Sequence, residues 1–159
     1  MKFGITIIAL LSVWFIGCKS NEHAVRLTLS YSRPYCNGAR PTPDMEEAAN
    51  QRHPFANQMF YFVNGSKVDS VKTDANGVLT TRLKGNGWMV LEGWQYYKTA
   101  PDNGNMSNYR KECLEEEWRK TIVPLFFTTA KINVDTTVHI QYKCPFAHTC
   151  VKDGRPIPE

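Results

Sequence analysis

The chain has 159 residues, which is enough for one domain with a hydrophobic core, and its 19 lysine and arginine residues slightly outnumber its 15 aspartates and glutamates. The net charge of +4 is small and the two signs are interspersed, so the composition argues against a nucleic-acid-binding surface. The chain also contains five cysteines, so the compartment in which it folds matters to its chemistry.

The first 17 residues predict a lipoprotein signal peptide. An early lysine is followed by an apolar run over residues 3–16 and then by Gly17-Cys18. The run is shorter than the roughly 20 apolar residues of a membrane span. Phe-Ile-Gly-Cys at 15–18 resembles a bacterial lipobox, in which the cysteine is acylated and starts the mature chain. Acyl chains on Cys18 would anchor the protein to a bilayer, with residues 18–23 as a lipidated tether. The alternative is an ordinary signal peptide with a chance cysteine.

Cleavage after residue 17 leaves 142 of the 159 residues, of which 24–159 are predicted to form one domain. Four cysteines remain there: Cys36, Cys113, Cys144 and Cys150. An even number in an exported chain favours disulfides, because that compartment is oxidising. Three pairings are open. We favour Cys144 with Cys150 and Cys36 with Cys113; the second closes the larger loop and would stabilise the fold by roughly 2 to 4 kcal/mol.

The domain has mainly the pattern of β-strands. Residues 24–32 alternate between apolar and polar side chains, which predicts a strand with one buried and one solvated face. Similar β-branched or aromatic segments recur along the chain. In chain order, strands are predicted at 24–32, 56–63, 68–73, 78–83, 88–91, 121–128 and 134–143.

The stretch 67–91 organises these strands. Thr-Asp-Ala-Asn-Gly at 73–77 predicts a tight turn, with Gly77 in the left-handed conformation that such a reversal often needs. Gly85 and Gly87 then allow a corner into Trp88, which starts an almost wholly apolar run expected in the interior. The order strand, turn, strand, glycine corner, strand predicts an antiparallel sandwich.

Two segments depart from the strand pattern. Residues 33–53 are interrupted by prolines and contain one or two possible helical turns at 44–49. From 107 to 120 the apolar residues recur at helical spacing with charged residues between them, which predicts an α-helix capped by Ser107 or Asn108. The tail from Cys144 onwards holds three prolines and is expected to be irregular.

Gly-Ser-Lys-Val at 65–68, the turn at 73–77 and Leu-Lys-Gly-Asn-Gly-Trp at 83–88 resemble the carboxypeptidase regulatory-like domains, which have a transthyretin-like (prealbumin-like) fold. The resemblance implies a mainly β protein: a single antiparallel Greek-key β-sandwich, here with one inserted α-helix. Such modules share no one activity and serve as accessory, adhesion or linker domains. Tyr-Cys-Asn-Gly-Ala at 35–39 also resembles a motif of small Bacteroidetes-type lipoproteins.

The tail contains the main candidate for metal chemistry. Cys144, His148 and Cys150 lie within seven residues and could together hold zinc or copper. The favoured alternative is a disulfide beside an exposed histidine, because thiols oxidise outside the cytosol and metal ligation needs free thiolates. A metal site would also need another ligand: Cys36 or Cys113, or His139 if the fold brings it near.

Three aromatic residues form the main candidate for ligand binding. Trp94, Tyr96 and Tyr97 follow a predicted strand and could stack on the faces of sugars. The alternative is that they pack under the helix with Tyr109 and Trp118 as part of the core. For Trp88 the core is the favoured location.

No catalytic pattern is present in the sequence. The histidines are His23, His53, His139 and His148, which are far apart, and no nucleophile elbow, phosphate loop or zinc-protease motif occurs. We therefore expect no enzyme and no cofactor. The leading prediction is a cell-envelope lipoprotein, held on a membrane by its lipid, whose non-catalytic sandwich binds a glycan or an envelope protein. The alternative is a periplasmic metal-binding protein.

Overall fold

The computed structural model describes residues 22–35, 40–101, 104–128, 133–142 and 150–152. The predictions for Cys18, Cys36, Cys144 and His148 lie outside these residues. Across the described ranges, no helix combines the length and the apolar character needed to cross a bilayer.

The described chain is mainly β, with eight strands in two sheets. The strands are β1 Glu22–Ser32, β2 His53–Pro54, β3 Met59–Asn64, β4 Lys67–Lys72, β5 Val78–Lys84, β6 Trp88–Glu92, β7 Val123–Leu125 and β8 Asn133–Gln141. The helices are α1 Pro43–Asn50, α2 Gly93–Tyr96 and α3 Lys111–Trp118, with a 3-10 turn at Met106–Asn108.

In the first sheet, β1 pairs with β2 and β5 along one edge and with β8 along the other. The second sheet has the order β4-β3-β6-β7. All these pairs are antiparallel except β1 with β8, which is parallel and departs from the predicted antiparallel arrangement. The reason is topological: β7 ends near the end of the sandwich where β1 begins, so the chain enters β8 there and runs in the same direction as β1.

The core lies between the sheets and follows the predicted alternation. Val25, Leu27 and Leu29 of β1 are fully buried, and so are Phe60 and Phe62 of β3. Their neighbours in sequence point to the outer faces, because successive strand residues alternate between the two sides of a sheet. Trp88 is 5% exposed and belongs to this core, as expected.

The turn at 73–77 has the predicted chemistry and carries the chain from the second sheet to the first, since β4 pairs with β3 and β5 with β1. The Asp74 carboxylate accepts the backbone N–H groups of Asn76 and Val78, each at 2.8 Å. Gly77 has φ +75° and packs against β1: a Cβ placed on it would lie 2.3 Å from the carbonyl oxygen of Leu29. The position therefore requires glycine.

The sandwich has two ends, the tether end and the far end. The tether end contains the start of β1, the β3–β4 hairpin, the β5–β6 corner and the residues after β7. At this end the Asn64 side chain donates to the carbonyl oxygen of Asn86 at 2.8 Å, and the His23 ring stacks on Phe127 at 4.2 Å. The far end contains the last residues of β1 and β6 and the residue after β8, which are Ser32, Glu92 and Tyr142.

Two predicted boundaries are corrected by the structure. Residues 22 and 23, assigned to the tether, belong to β1: Glu22 pairs with Lys84 and His23 with Leu83. The helix predicted over 107–120 is a 3-10 turn followed by α3, and Tyr109 between them bridges to Val151 instead. The predicted helix is shorter than expected because the contact with the tail competes with helix formation at Tyr109. The described residues contain three short α-helices, where one inserted helix was predicted.

The predicted disulfide pairing is wrong. Cys113 on α3 bonds to Cys150, with Cα atoms 5.2 Å apart, so neither the Cys36–Cys113 nor the Cys144–Cys150 bond forms. The bond lies in a second, small cluster of buried residues with Ala100, Tyr109 and Leu114. Spacing in the sequence favoured the short Cys144–Cys150 loop, whereas the fold brings the tail back across α3.

Candidate functional site

Helix α2 begins at the far end, where β6 ends. The Glu92 carboxylate accepts the backbone N–H of Gln95, and the Gln95 side chain accepts the backbone N–H of Glu92 at 2.9 Å. This reciprocal pair satisfies N–H groups that the start of a helix leaves unpaired. Because a helix of four residues has little stability of its own, these two side chains determine its position.

Gln95 also ties α2 to the end of α3. Its side-chain amide donates to the carbonyl oxygens of Lys120 at 2.7 Å and Glu117 at 3.3 Å. Carbonyls at the end of a helix lack partners within the helix, so a buried amide is a suitable donor to them. Gln95 is itself only 6% exposed, and α2 is therefore held at both its start and its underside.

Glu92 is a buried carboxylate at 5% exposure. Burial raises the pKa of this carboxyl, while hydrogen bonds from Tyr142 and Trp94 and the positive charge of Arg33 act in the opposite direction. The Tyr142 hydroxyl donates to it at 2.6 Å. Burial, followed by the nearby charge of Glu92, raises the pKa of the Tyr142 phenol, which therefore stays protonated. Glu92 is thus a positioning residue beneath α2.

Three tyrosines come together where α2 packs on the outer face of β3: Tyr61 of β3, Tyr96 at the end of α2 and Tyr97 after it. We call these three residues the tyrosine cluster. The rings of Tyr61 and Tyr96 stack with centroids 4.2 Å apart and planes at 6°. The Tyr97 ring makes T-shaped contacts with both, with its centroid 5.3 Å from that of Tyr61 and 5.1 Å from that of Tyr96. Tyr97 is 63% exposed, which makes it the accessible member of the cluster.

A hydrogen bond orders the hydroxyls of the cluster. The Tyr61 hydroxyl donates to that of Tyr97 at 2.9 Å. This bond, followed by burial and the neighbouring phenols, raises the pKa of Tyr61 to about 12. The Tyr61 hydroxyl is therefore protonated at physiological pH, and the Tyr97 hydroxyl, which accepts this bond, has its own O–H left to donate to a ligand.

The structure separates the three predicted stacking residues. Tyr96 and Tyr97 come together in the tyrosine cluster, whereas Trp94 donates to the Glu92 carboxylate and is half-buried. The sequence prediction missed Tyr61. The signal was present, because Tyr61 lies between the buried residues Phe60 and Phe62 and must face outwards in a strand.

The disulfide weakens the metal-binding prediction. Cys150, one of its three proposed ligands, is bonded to Cys113, so neither thiolate is available as a ligand. His139, considered as an additional ligand, has its two ring nitrogens 3.1 Å from the hydroxyls of Ser30 and Ser32. Within the part of the chain that the structure describes, no three histidine, cysteine or acidic side chains group as a metal site.

Comparisons with known proteins find no matching family model and no matching curated protein. Two solved structures show partial similarity, each at 10% sequence identity: DUF3823 family proteins from Parabacteroides merdae ATCC 43184 and Bacteroides ovatus ATCC 8483. The first aligns with 76% of this chain and 46% of its own chain, with a TM-score of 0.39. The second aligns with 72% and 43%, with a TM-score of 0.29. This chain thus spans less than half of either protein, and neither is described as an enzyme.

Proposed function

We propose that this protein is a lipid-anchored lipoprotein of the bacterial cell envelope, whose sandwich binds a glycan non-catalytically at the tyrosine cluster. The observation that carries the proposal is the ring of Tyr97, which is 63% exposed yet makes T-shaped contacts with Tyr61 and Tyr96. An exposed aromatic ring in a fixed position offers a ligand a large apolar contact with little further loss of rotamer entropy.

A glycan suits this surface chemically. Sugar rings have faces of C–H groups that pack on aromatic rings, and hydroxyls at their rims that exchange hydrogen bonds with phenols. The cluster offers both, since its rings are partly accessible and the Tyr97 hydroxyl accepts from Tyr61 and so has its O–H left to donate. Carboxylates or ammonium groups, which would favour charged ligands, are not part of the cluster.

The location of the cluster supports a role in binding away from the membrane. The predicted lipid at Cys18 precedes the tether end, whereas α2 with Tyr96 lies at the far end. β1 has 11 residues, and strands rise about 3.3 Å per residue, so the two ends are separated by about 35 Å. A ligand at the far end would approach without meeting the bilayer.

We also propose a finer assignment of the fold. A carboxypeptidase regulatory-like module of prealbumin-like, Greek-key topology is supported by the segment from β4 to β6, in which the chain changes sheets at the turn of Gly77 and again at the corner of Gly85. A Bacteroidetes-type source is proposed on the motif at 35–39.

A glycan array followed by calorimetry tests the function. We expect binding of at least one envelope or dietary glycan, weakened by tenfold or more in Tyr97→Ala. Met45→Ala is the matched control, because Met45 is a similarly exposed apolar residue, at 46%, on α1. The absence of glycan binding, or affinity unchanged by Tyr97→Ala, would remove the proposal. Trp94→Ala is unsuitable as a test, since it removes a donor to Glu92.

A partner envelope protein is the second candidate ligand. It is favoured by exposed apolar residues on the outer face of the second sheet: Met59 at 39%, Val68 at 47% and Met89 at 39%. A cross-linked envelope protein that is lost in Val68→Asp but retained in Tyr97→Ala would favour this candidate.

Metal binding by the tail remains the alternative function. It would require free thiols at Cys144 and Cys150, which the bond between Cys113 and Cys150 opposes. Thiol titration of the unreduced, denatured protein decides this point: two or more free thiols together with bound zinc or copper would favour the metal function over glycan binding.

A further inference from the structure

The tether end carries the most exposed large apolar side chain among the described residues. Phe126 follows β7, between the buried residues Leu125 and Phe127, and is 71% exposed. Strand alternation turns it away from the core, just as it turns its neighbours inwards. Packing within the sandwich therefore gives no reason for a phenylalanine at this position.

The tether end also presents exposed lysines. β4 begins with Lys67 and β5 ends with Lys84, and both side chains are exposed. The acidic side chains of the strands near this end have partners, in the pairs Glu22 with Lys84, Asp135 with Arg26 and Asp69 with Thr81. An exposed aromatic ring and exposed lysines at the same end of a domain are the combination found where proteins meet lipid headgroups.

The start of β1 limits how far this end can be from a bilayer. Three residues separate Cys18 from Glu22, and the four steps between them span at most about 14 Å. A lipid on Cys18 would therefore hold the tether end beside the headgroups, and no other end of the sandwich could reach them.

We propose that the tether end rests on the membrane, with Phe126 at the level of the headgroups and with Lys67 and Lys84 facing lipid phosphates. This inference rests on the proposed lipid anchor and is independent of the ligand at the tyrosine cluster. Docking would orient β1 away from the bilayer and keep the far end accessible.

Hydroxyl-radical footprinting tests the contact. The lipidated full chain is reconstituted in vesicles of phosphatidylethanolamine and phosphatidylglycerol, and side-chain oxidation is compared with that of the unlipidated Cys18→Ser chain without vesicles. We expect oxidation of Phe126 to fall by threefold or more on vesicles. Tyr97 at the far end and Met45 on α1 are internal controls, and their oxidation should not change.

The two ends of β4 provide a matched pair of variants. Lys67→Glu, at the tether end, should restore part of the oxidation of Phe126 on these anionic vesicles, whereas Lys72→Glu, at the opposite end of the strand, should not. Equal oxidation of Phe126 in the lipidated chain on vesicles and in the Cys18→Ser chain without vesicles overturns the membrane contact and leaves the anchor standing. A chain without acyl groups by intact mass overturns both.

Discussion

The hydroxyl of Tyr142 donates a 2.6 Å hydrogen bond to the carboxylate of Glu92 and thereby joins the two sheets at the far end. Tyr142 follows β8 of the first sheet, and Glu92 ends β6 of the second. Because Glu92 also caps α2, the same carboxylate links the closure of the sandwich to the position of Tyr96. A change at this bond should affect both stability and the tyrosine cluster.

Glu92 should make stability depend on pH. Its carboxyl pKa is raised in the folded chain above the ordinary 4.5, so between 4.5 and the folded pKa the folded state binds more protons than the unfolded state. Its contribution to stability is therefore complete below pH 4.5 and is lost as the pH rises through the folded pKa. Urea denaturation across pH 4 to 8 should show this loss in the wild type and not in Glu92→Gln. Parallel profiles for the two chains would contradict the prediction.

Tyr142→Phe should strengthen the pH dependence of stability that Glu92→Gln removes. The hydrogen bond from Tyr142 lowers the Glu92 pKa, so its removal should raise that pKa further and extend the loss of stability to higher pH. Urea denaturation across pH 4 to 8 measures the pH range over which Tyr142→Phe loses stability.

Tyr97→Phe should lower the pKa of Tyr61. The bond to the Tyr97 hydroxyl is the largest cause that raises the pKa of Tyr61 from 10.0 to about 12, and phenylalanine removes the acceptor. Titration of the tyrosine Cζ resonances by carbon NMR should find a Tyr61 pKa of about 12 in the wild type and a lower pKa in the variant. A Tyr61 resonance that titrates identically in both chains would show that the hydroxyls are not bonded.

Gly77→Ala should destabilise the fold far more than Gly65→Ala. Both glycines have positive φ, +75° and +58°, so each alanine incurs the left-handed penalty of about 1 to 2 kcal/mol. Only at Gly77 would the new Cβ meet backbone, 2.3 Å from the Leu29 oxygen, whereas nothing lies within 4 Å at Gly65. Urea denaturation should give a loss above about 3 kcal/mol for Gly77→Ala. Equal losses would mean that the turn does not pack against β1.

The disulfide prediction concerns connectivity and stability together. Peptide mapping of the unreduced protein should recover Cys113 linked to Cys150. The double variant Cys113→Ser/Cys150→Ser should lose about 3 to 4 kcal/mol, as expected for a sequence separation of 37. A peptide that joins Cys36 to Cys113 would contradict the structure.

Features set by neighbouring residues were predictable from the sequence. The alternation of Val25, Leu27 and Leu29, the left-handed Gly77 and the buried Trp88 depend on the local backbone and on polarity, and each agrees with the structure. The helix at 107–120 was predicted too long, because its spacing does not reveal the bridge between Tyr109 and Val151.

The functional cluster was only partly predictable. Tyr96 and Tyr97 stand out as aromatic residues after a strand, whereas Tyr61 lies 35 residues before Tyr96 in sequence and joins them only because β3 pairs with β6. Glu92 was not singled out either, since nothing in its local sequence indicates burial beside Tyr142.

The sequence by itself determined where seven of the eight described strands lie, all except the two-residue β2, and where the chain can turn. These features depend on side-chain polarity and on backbone sterics within a few residues. Only the tertiary structure decided which strands pair, that β8 runs parallel to β1, that Cys113 bonds to Cys150 and that three tyrosines share one surface. Those outcomes depend on contacts between distant segments, and each is selected by the packing of the whole chain rather than by the residues beside it.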